Sequence, residues 1–189
     1  MAMSIISSKI RVSHIFKMHL KSLSSDQDKI LLSDIFTFYI MPVIPALLLF
    51  LIGYRMDKDL TSLIINFGAI FSALLLSVLV LIYDQEKKIQ GEQKEENVSD
   101  QGKPAYEIKK KIISNLYHNL CYAVLMSIFL IMFALLNQIT TNIPALYCVG
   151  AFLSSITIFI ILNIMFTIVM VVKRMHALLN SKSAEETEK

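Results

Sequence analysis

Residues able to do chemistry are few in this chain, and they do not converge. His14, His19, His118 and His176 stand singly, without the paired spacing by which a chain grips zinc. Cys121 and Cys148 form no Cys-x-x-Cys motif. They belong to opposite ends of two apolar runs, so no disulfide or redox pair is expected, and both read as buried thiols. No Asp or Glu interrupts the long apolar runs. That removes the membrane-embedded carboxylate on which proton-coupled and small multidrug transporters depend. It also removes the carboxylate or histidine clusters of intramembrane phosphotransferases and metalloproteases. Catalysis, a metal and a cofactor are therefore not expected. The most polar groups inside the apolar runs are amides: Asn66 and Asn163 deep within them, Asn137 near a boundary. Their chemistry is hydrogen bonding between helices or, less simply, the lining of a pore or ligand site.

The elements that must carry these residues follow from composition. Of 189 residues, 55% are hydrophobic and 17% charged, with mean hydropathy +0.60 and net charge +3. Ordinary soluble domains carry about 25% charged residues. A soluble enzyme and a usual nucleic-acid-binding domain are both excluded, and no direct nucleic-acid contact is expected. The apolar residues are clustered. Crossing about 30 Å of hydrocarbon takes about 20 residues of helix, and four windows meet that length: 35–54, 60–83, 120–139 and 145–172. Backbone groups cannot stay unpaired in lipid, so such windows must be helices. They are apolar all round, which rejects the alternating pattern of a β-barrel. No apolar stretch precedes Ile35, so no cleavable leader is expected.

Orientation follows from the flanking Lys and Arg residues. Sixteen lie in the N-terminal segment, the long middle connection and the tail; two, Arg55 and Lys58, lie in the first short connection. The expectation is an all-α polytopic membrane protein with four transmembrane helices and both termini cytoplasmic. A cytoplasmic helical hairpin joins spans two and three. The division is an amphipathic N-terminal segment (1–34), a first transmembrane hairpin (35–83), a cytoplasmic loop or helical extension (84–119), a second transmembrane hairpin (120–172) and a tail (173–189).

Outside the spans, Ile10, Val12, Ile15, Phe16, His19, Leu20 and Leu23 share one helical face, with Arg11, Lys17 and Lys21 elsewhere. This is a basic amphipathic helix of the surface-lying type, an anchor or a docking element. A helix is expected to run from Ala105 into span three, with the hairpin tip near 97–103 and a frayed tail from Ser181. The hairpin offers candidate contacts for a soluble partner: Glu86, Glu92, Glu95, Glu96, Tyr106 and the block Lys109, Lys110, Lys111, which could instead meet anionic lipid. Within the spans, Gly68 with Ser72 and Gly150 with Ser154 are small residues four apart. With Asn66 and Asn163 they are candidates for helix packing or a homo-oligomer interface. Pro42 and Pro45 should kink span one, as a static bend or a hinge.

The size, the four spans from Ile35 to Val172, the cytoplasmic ends and the long inner segment make a layout. It resembles that of the four-helix membrane subunit of the Kiwa anti-phage defence system (KwaA). The resemblance implies a homo-oligomer in the bacterial inner membrane that senses phage attachment and recruits a soluble DNA-binding partner on the cytoplasmic side. The residues themselves point the same way, since nearly all polar surface is expected inside the cell. A non-enzymatic membrane sensor or scaffold is the first expectation. A pore-forming or membrane-perturbing effector, or a small transporter-like protein, is the alternative.

Overall fold

The structure, a computed structural model, describes residues 12–22, 36–95, 103–141 and 143–187. They form helices α1 (Ser13–Ser22), α2 (Met41–Leu51), α3 (Lys58–Glu95), α4 (Lys103–Thr141) and α5 (Tyr147–Thr187). A π turn, Phe36–Ile40, leads into α2, and a 3-10 turn, Pro144–Leu146, leads into α5. No strand occurs among the described residues.

Three helical stretches are long and apolar enough to cross a membrane: Lys58–Lys88, Lys110–Thr141 and Pro144–His176. The fourth, Phe36–Leu51, is shorter than the expected window 35–54. Its end is set by glycine. Gly53 takes the left-handed φ of 72°, and its N–H returns to the Phe50 carbonyl at 2.9 Å. The Tyr54 N–H returns to Leu49 at 2.9 Å. These are the two bonds of a Schellman ending, and φ above zero suits glycine. Asp57 then caps α3: its carboxylate accepts the Leu60 N–H at 2.7 Å.

The helices form an open row. α3 packs along α4, α4 along α5, and α5 along α2, while α1 lies on α4. α3 and α2 are thus the two edges. The row is held by two apolar clusters. One joins Met56, Ile64, Tyr122, Met126, Leu130, Ala134, Ile160 and Ile164. The other joins Leu75, Ile82, Ile113, Leu116, Leu120, Ala123 and Val171, where the end of α3, the start of α4 and the end of α5 meet. Lipid supplies no hydrophobic drive between helices, so close packing must do the work. Gly68 shows how: a Cβ there would stand 2.8 Å from Ile131 Cγ1. Glycine lets α3 and α4 come together.

Two expectations need correction. The tail is not frayed from Ser181, because α5 continues to Thr187. Ala184, Glu185 and Glu186 are good helix formers, and extending a helix that already exists costs no new nucleation. Nor are both thiols buried: Cys121 is half-buried and Cys148 exposed. Cys148 lies on a helix face that the row leaves uncovered. The expected hairpin helix is present, since α4 runs unbroken from Lys103 through the apolar stretch. Its expected tip, 97–103, lies outside the described residues apart from Lys103.

Candidate functional site

Polar side chains gather at the two ends of the row. At the α1 end, Pro42 sets the geometry. A proline offers no N–H to the carbonyl four residues before it, and its ring crowds that carbonyl. Here the carbonyl belongs to Phe38, in the π turn just ahead of α2. Asn163 of α5 provides the missing donor: its Nδ2 donates to the Phe38 oxygen at 2.9 Å. Its Oδ1 accepts from the Tyr122 hydroxyl at 2.7 Å. Both side chains are buried, so each bond spares a polar group from a dry interior.

Tyr122 carries the network on to α1. The His19 ring stacks flat upon it, with centroids 3.7 Å apart and planes 1° from parallel. Phe16 meets the same ring edge-on at 5.3 Å. His19 Nδ1 donates to Asn119 Oδ1 at 2.9 Å. The Ser22 hydroxyl bridges that amide and the His19 carbonyl, the latter at 2.7 Å. Arg174 of α5 donates to the carbonyl of Ser22, the last residue of α1. A cation there also meets the negative end of the helix dipole. His19 is fully buried. Burial pulls its pKa from 6.5 down to about 4; the Asn119 bond opposes this and the Arg174 charge adds to it. The ring is therefore neutral near pH 7. Its Nε2 and the Asn119 Nδ2 have no partner among the described residues.

At the opposite end the hub is Asn137. Its Nδ2 reaches Thr61 Oγ1 at 3.4 Å, and its Oδ1 accepts from the Ser154 hydroxyl at 3.1 Å. Ser154 Oγ in turn accepts the Met56 N–H at 3.1 Å. Arg55 lies across this end, donating to the Thr140 carbonyl at 2.8 Å and sitting 5.3 Å from the Tyr147 ring centroid. The Tyr147 hydroxyl donates to the Gly53 carbonyl at 2.9 Å. Gly150 makes room for the guanidinium: a Cβ would stand 2.8 Å from Arg55 Nε.

The residues singled out from sequence are thus dispersed by role. Gly68 and Ser72 face α4, where the Ser72 and Ser127 hydroxyls are 2.6 Å apart. Gly150 and Ser154 serve the Arg55 end, and Asn163 the α1 end. Asn66 joins none of these and is exposed on α3. Pro42 is buried and Pro45 half-buried in α2. Glu86, Glu92 and Glu95 lie on the last turns of α3, and Tyr106, Lys109, Lys110 and Lys111 on the first turns of α4. Glu96 lies outside the described residues. Sequence reasoning missed the His19–Asn119–Tyr122–Asn163 chain and both arginines. One signal for it was present, a histidine on the apolar face of an otherwise amphipathic helix. Among the described residues no cluster of three metal-ligating side chains occurs. The arrangement is suited to holding helices in a set relation. No family model matches the chain, nor does any curated protein or solved structure.

Proposed function

We propose that the chain is a non-enzymatic, multi-pass membrane sensor or scaffold. In this reading Phe36–Leu51 is a fourth span and both termini face the cytoplasm of a bacterial cell, with the protein in the inner membrane as a homo-oligomer. It recruits a soluble protein from the cytoplasm. The layout it shares with the Kiwa membrane subunit directs the proposal to anti-phage defence and to a DNA-binding partner.

The observation that carries the reading is where the helices run on. α3 continues from Lys88 to Glu95, α4 begins at Lys103 before its apolar stretch starts at Lys110, and α5 continues from His176 to Thr187. All three extensions lie at the end where α1 docks. They form a polar helical platform, whereas the far end has only two short connections. A large partner has something to bind on one side alone. The platform's signs are mixed, with glutamates leaving α3 and lysines entering α4. That suits a protein surface better than uniformly anionic lipid.

Two measurements test it. A thiol reagent that cannot cross the membrane should label a cysteine at Asn142 and miss one at Ser99; the reverse pattern sinks the topology. Reversing Lys109, Lys110 and Lys111 to glutamate should detach the co-purifying cytoplasmic protein while the chain still inserts. If the complex survives, those lysines meet lipid instead, where each is worth about 1 kcal/mol.

A further inference from the structure

Asn66 lies eight residues into α3, about 12 Å along the helix, within the apolar stretch Lys58–Lys88. Its side chain is exposed, and no described residue hydrogen-bonds to it. Asn119, Asn137 and Asn163 behave differently, being fully buried and bonded, while Asn115 and Gln138, nearer the ends of their stretch, are half-buried. An amide turned toward hydrocarbon loses water and gains nothing in return.

The helix that carries it is an edge. Only 17% of the α3 apolar window is buried, against 44% for those of α4 and α5. Around Asn66, the exposed residues Ser62, Ala69, Ala73 and Ser77, and further along Val80, fall with it in an arc of about 80°, at roughly 100° per residue. Gly68 and Leu75, which pack against α4 or lie in the core, are on the far side. The arc is flanked by opposite charges at both ends, all exposed: Lys58 and Asp59 on its two sides at one end, Lys87 and Asp84 at the other.

We infer that this outer face of α3 is a self-association surface, on which a second copy of the chain sets its own Asn66 against the first. The inference rests on the membrane reading above. Copies inserted in one bilayer point the same way, so the two α3 helices meet in parallel, about a twofold axis along the membrane normal. That axis lays the Lys58 side of one copy along the Asp59 side of the other, twice, and the Lys87 side along the Asp84 side, twice. A carboxamide is its own complement, with a donor and an acceptor on each side of the axis. The small neighbours at 62, 69, 73 and 77 let the backbones come close enough for the amides to meet. Each opposite-charge pair also disfavours a register shifted along the helix.

The test uses the full chain in lipid vesicles, with Cys121→Ser and Cys148→Ser as background. Single cysteines at Ser62, Asn66, Ala69, Ala73 and Ser77 should form a covalent dimer on oxidation. Cysteines at Leu74 and Leu81, exposed but off the arc, should not. In a second measurement, energy transfer between labelled copies diluted into lipid, Asn66→Leu should weaken association about threefold to tenfold. Asn66→Gln should retain it. Asn66 points away from its own chain's core, so Asn66→Leu leaves the fold intact. Equal cross-linking on and off the arc, or an unchanged association constant for Asn66→Leu, overturns the inference while leaving the membrane reading in place. Release of the wild-type chain from membranes by alkaline carbonate overturns both.

Discussion

Asn163 and Pro42 offer a direct test of why the α1-end network exists. Asn163→Leu keeps the branching and the number of heavy atoms, is bulkier, and removes both halves of the amide. The Phe38 carbonyl is stranded, and the Tyr122 hydroxyl keeps only Tyr39 as a partner. The stranded carbonyl costs about 1–3 kcal/mol and the lost Tyr122 bond about 1 kcal/mol, so the variant should lose about 2–4 kcal/mol, part of the cost being recovered by leucine packing. Pro42→Ala restores an N–H four residues after Phe38, the donor that proline withholds. In the wild-type background that donor is redundant, because Asn163 already serves the carbonyl. In the Asn163→Leu background it rescues the stranded Phe38 carbonyl. The double-mutant cycle should therefore show a coupling of about 1–2 kcal/mol. Reversible unfolding in mixed micelles measures all four corners. Tyr122→Phe supplies a further check: it should cost about 1 kcal/mol more in the wild type than in the Asn163→Leu background, where the hydroxyl bonds Tyr39 alone. A coupling within about 0.5 kcal/mol of zero, the range expected of independent sites, would show that the Phe38 carbonyl finds its partner within its own helix.

His19 should make α1 docking acid-sensitive. Its pKa is about 4 in the fold against 6.5 in the unfolded chain, so the undocked state binds the proton more readily. Docking strength is full above pH 6.5 and falls as pH drops from 6.5 toward 4, by about 3 kcal/mol in all. Amide hydrogen exchange in α1 should accelerate across that window, and His19→Gln should abolish the slope; a flat wild-type profile contradicts burial of the neutral ring. At the other end, Gly150→Ala should push the Arg55 guanidinium off the Thr140 carbonyl and away from Tyr147. The lost charge-assisted bond costs about 1.5–3 kcal/mol and the lost ring contact about 0.5–1 kcal/mol. Alanine returns about 1 kcal/mol of helix propensity. A net loss of about 1–3 kcal/mol is expected in the same unfolding assay, and unchanged stability would mean that Arg55 slides aside freely.

Helix packing by small residues was legible in part. Gly68 and Ser72 stood out by spacing, and the structure places both against α4. For Gly150 the spacing suggested a close helix neighbour, yet what fills the space above it is Arg55, from a connection about a hundred residues earlier in the chain. Periodicity reports that a face is narrow; it does not report what occupies the gap. The same limit applies to the amides. Asn66 and Asn163 look equivalent in sequence, each an amide within an apolar run. One is buried between three elements and the other turned outward, because α5 lies in the middle of the row and α3 at its edge.

The sequence by itself determined that the chain is helical and which stretches are apolar enough to enter a membrane. Both depend on runs of neighbouring residues: an uncharged stretch of sufficient length must pair its backbone internally whatever surrounds it. Local signals also set where α2 stops, at Gly53, and where α3 starts, at Asp57, since they act over four residues or fewer. Only the tertiary structure decided that the helices form an open row, that α1 docks through His19 onto Asn119 and Tyr122, and that Asn163 supplies the donor Pro42 lacks. Those pairings join residues 100, 103 and 125 positions apart for His19–Asn119, His19–Tyr122 and Phe38–Asn163. Hydrogen bonds and ring stacking depend on distance and direction in space, and over such separations only the packed helices fix either.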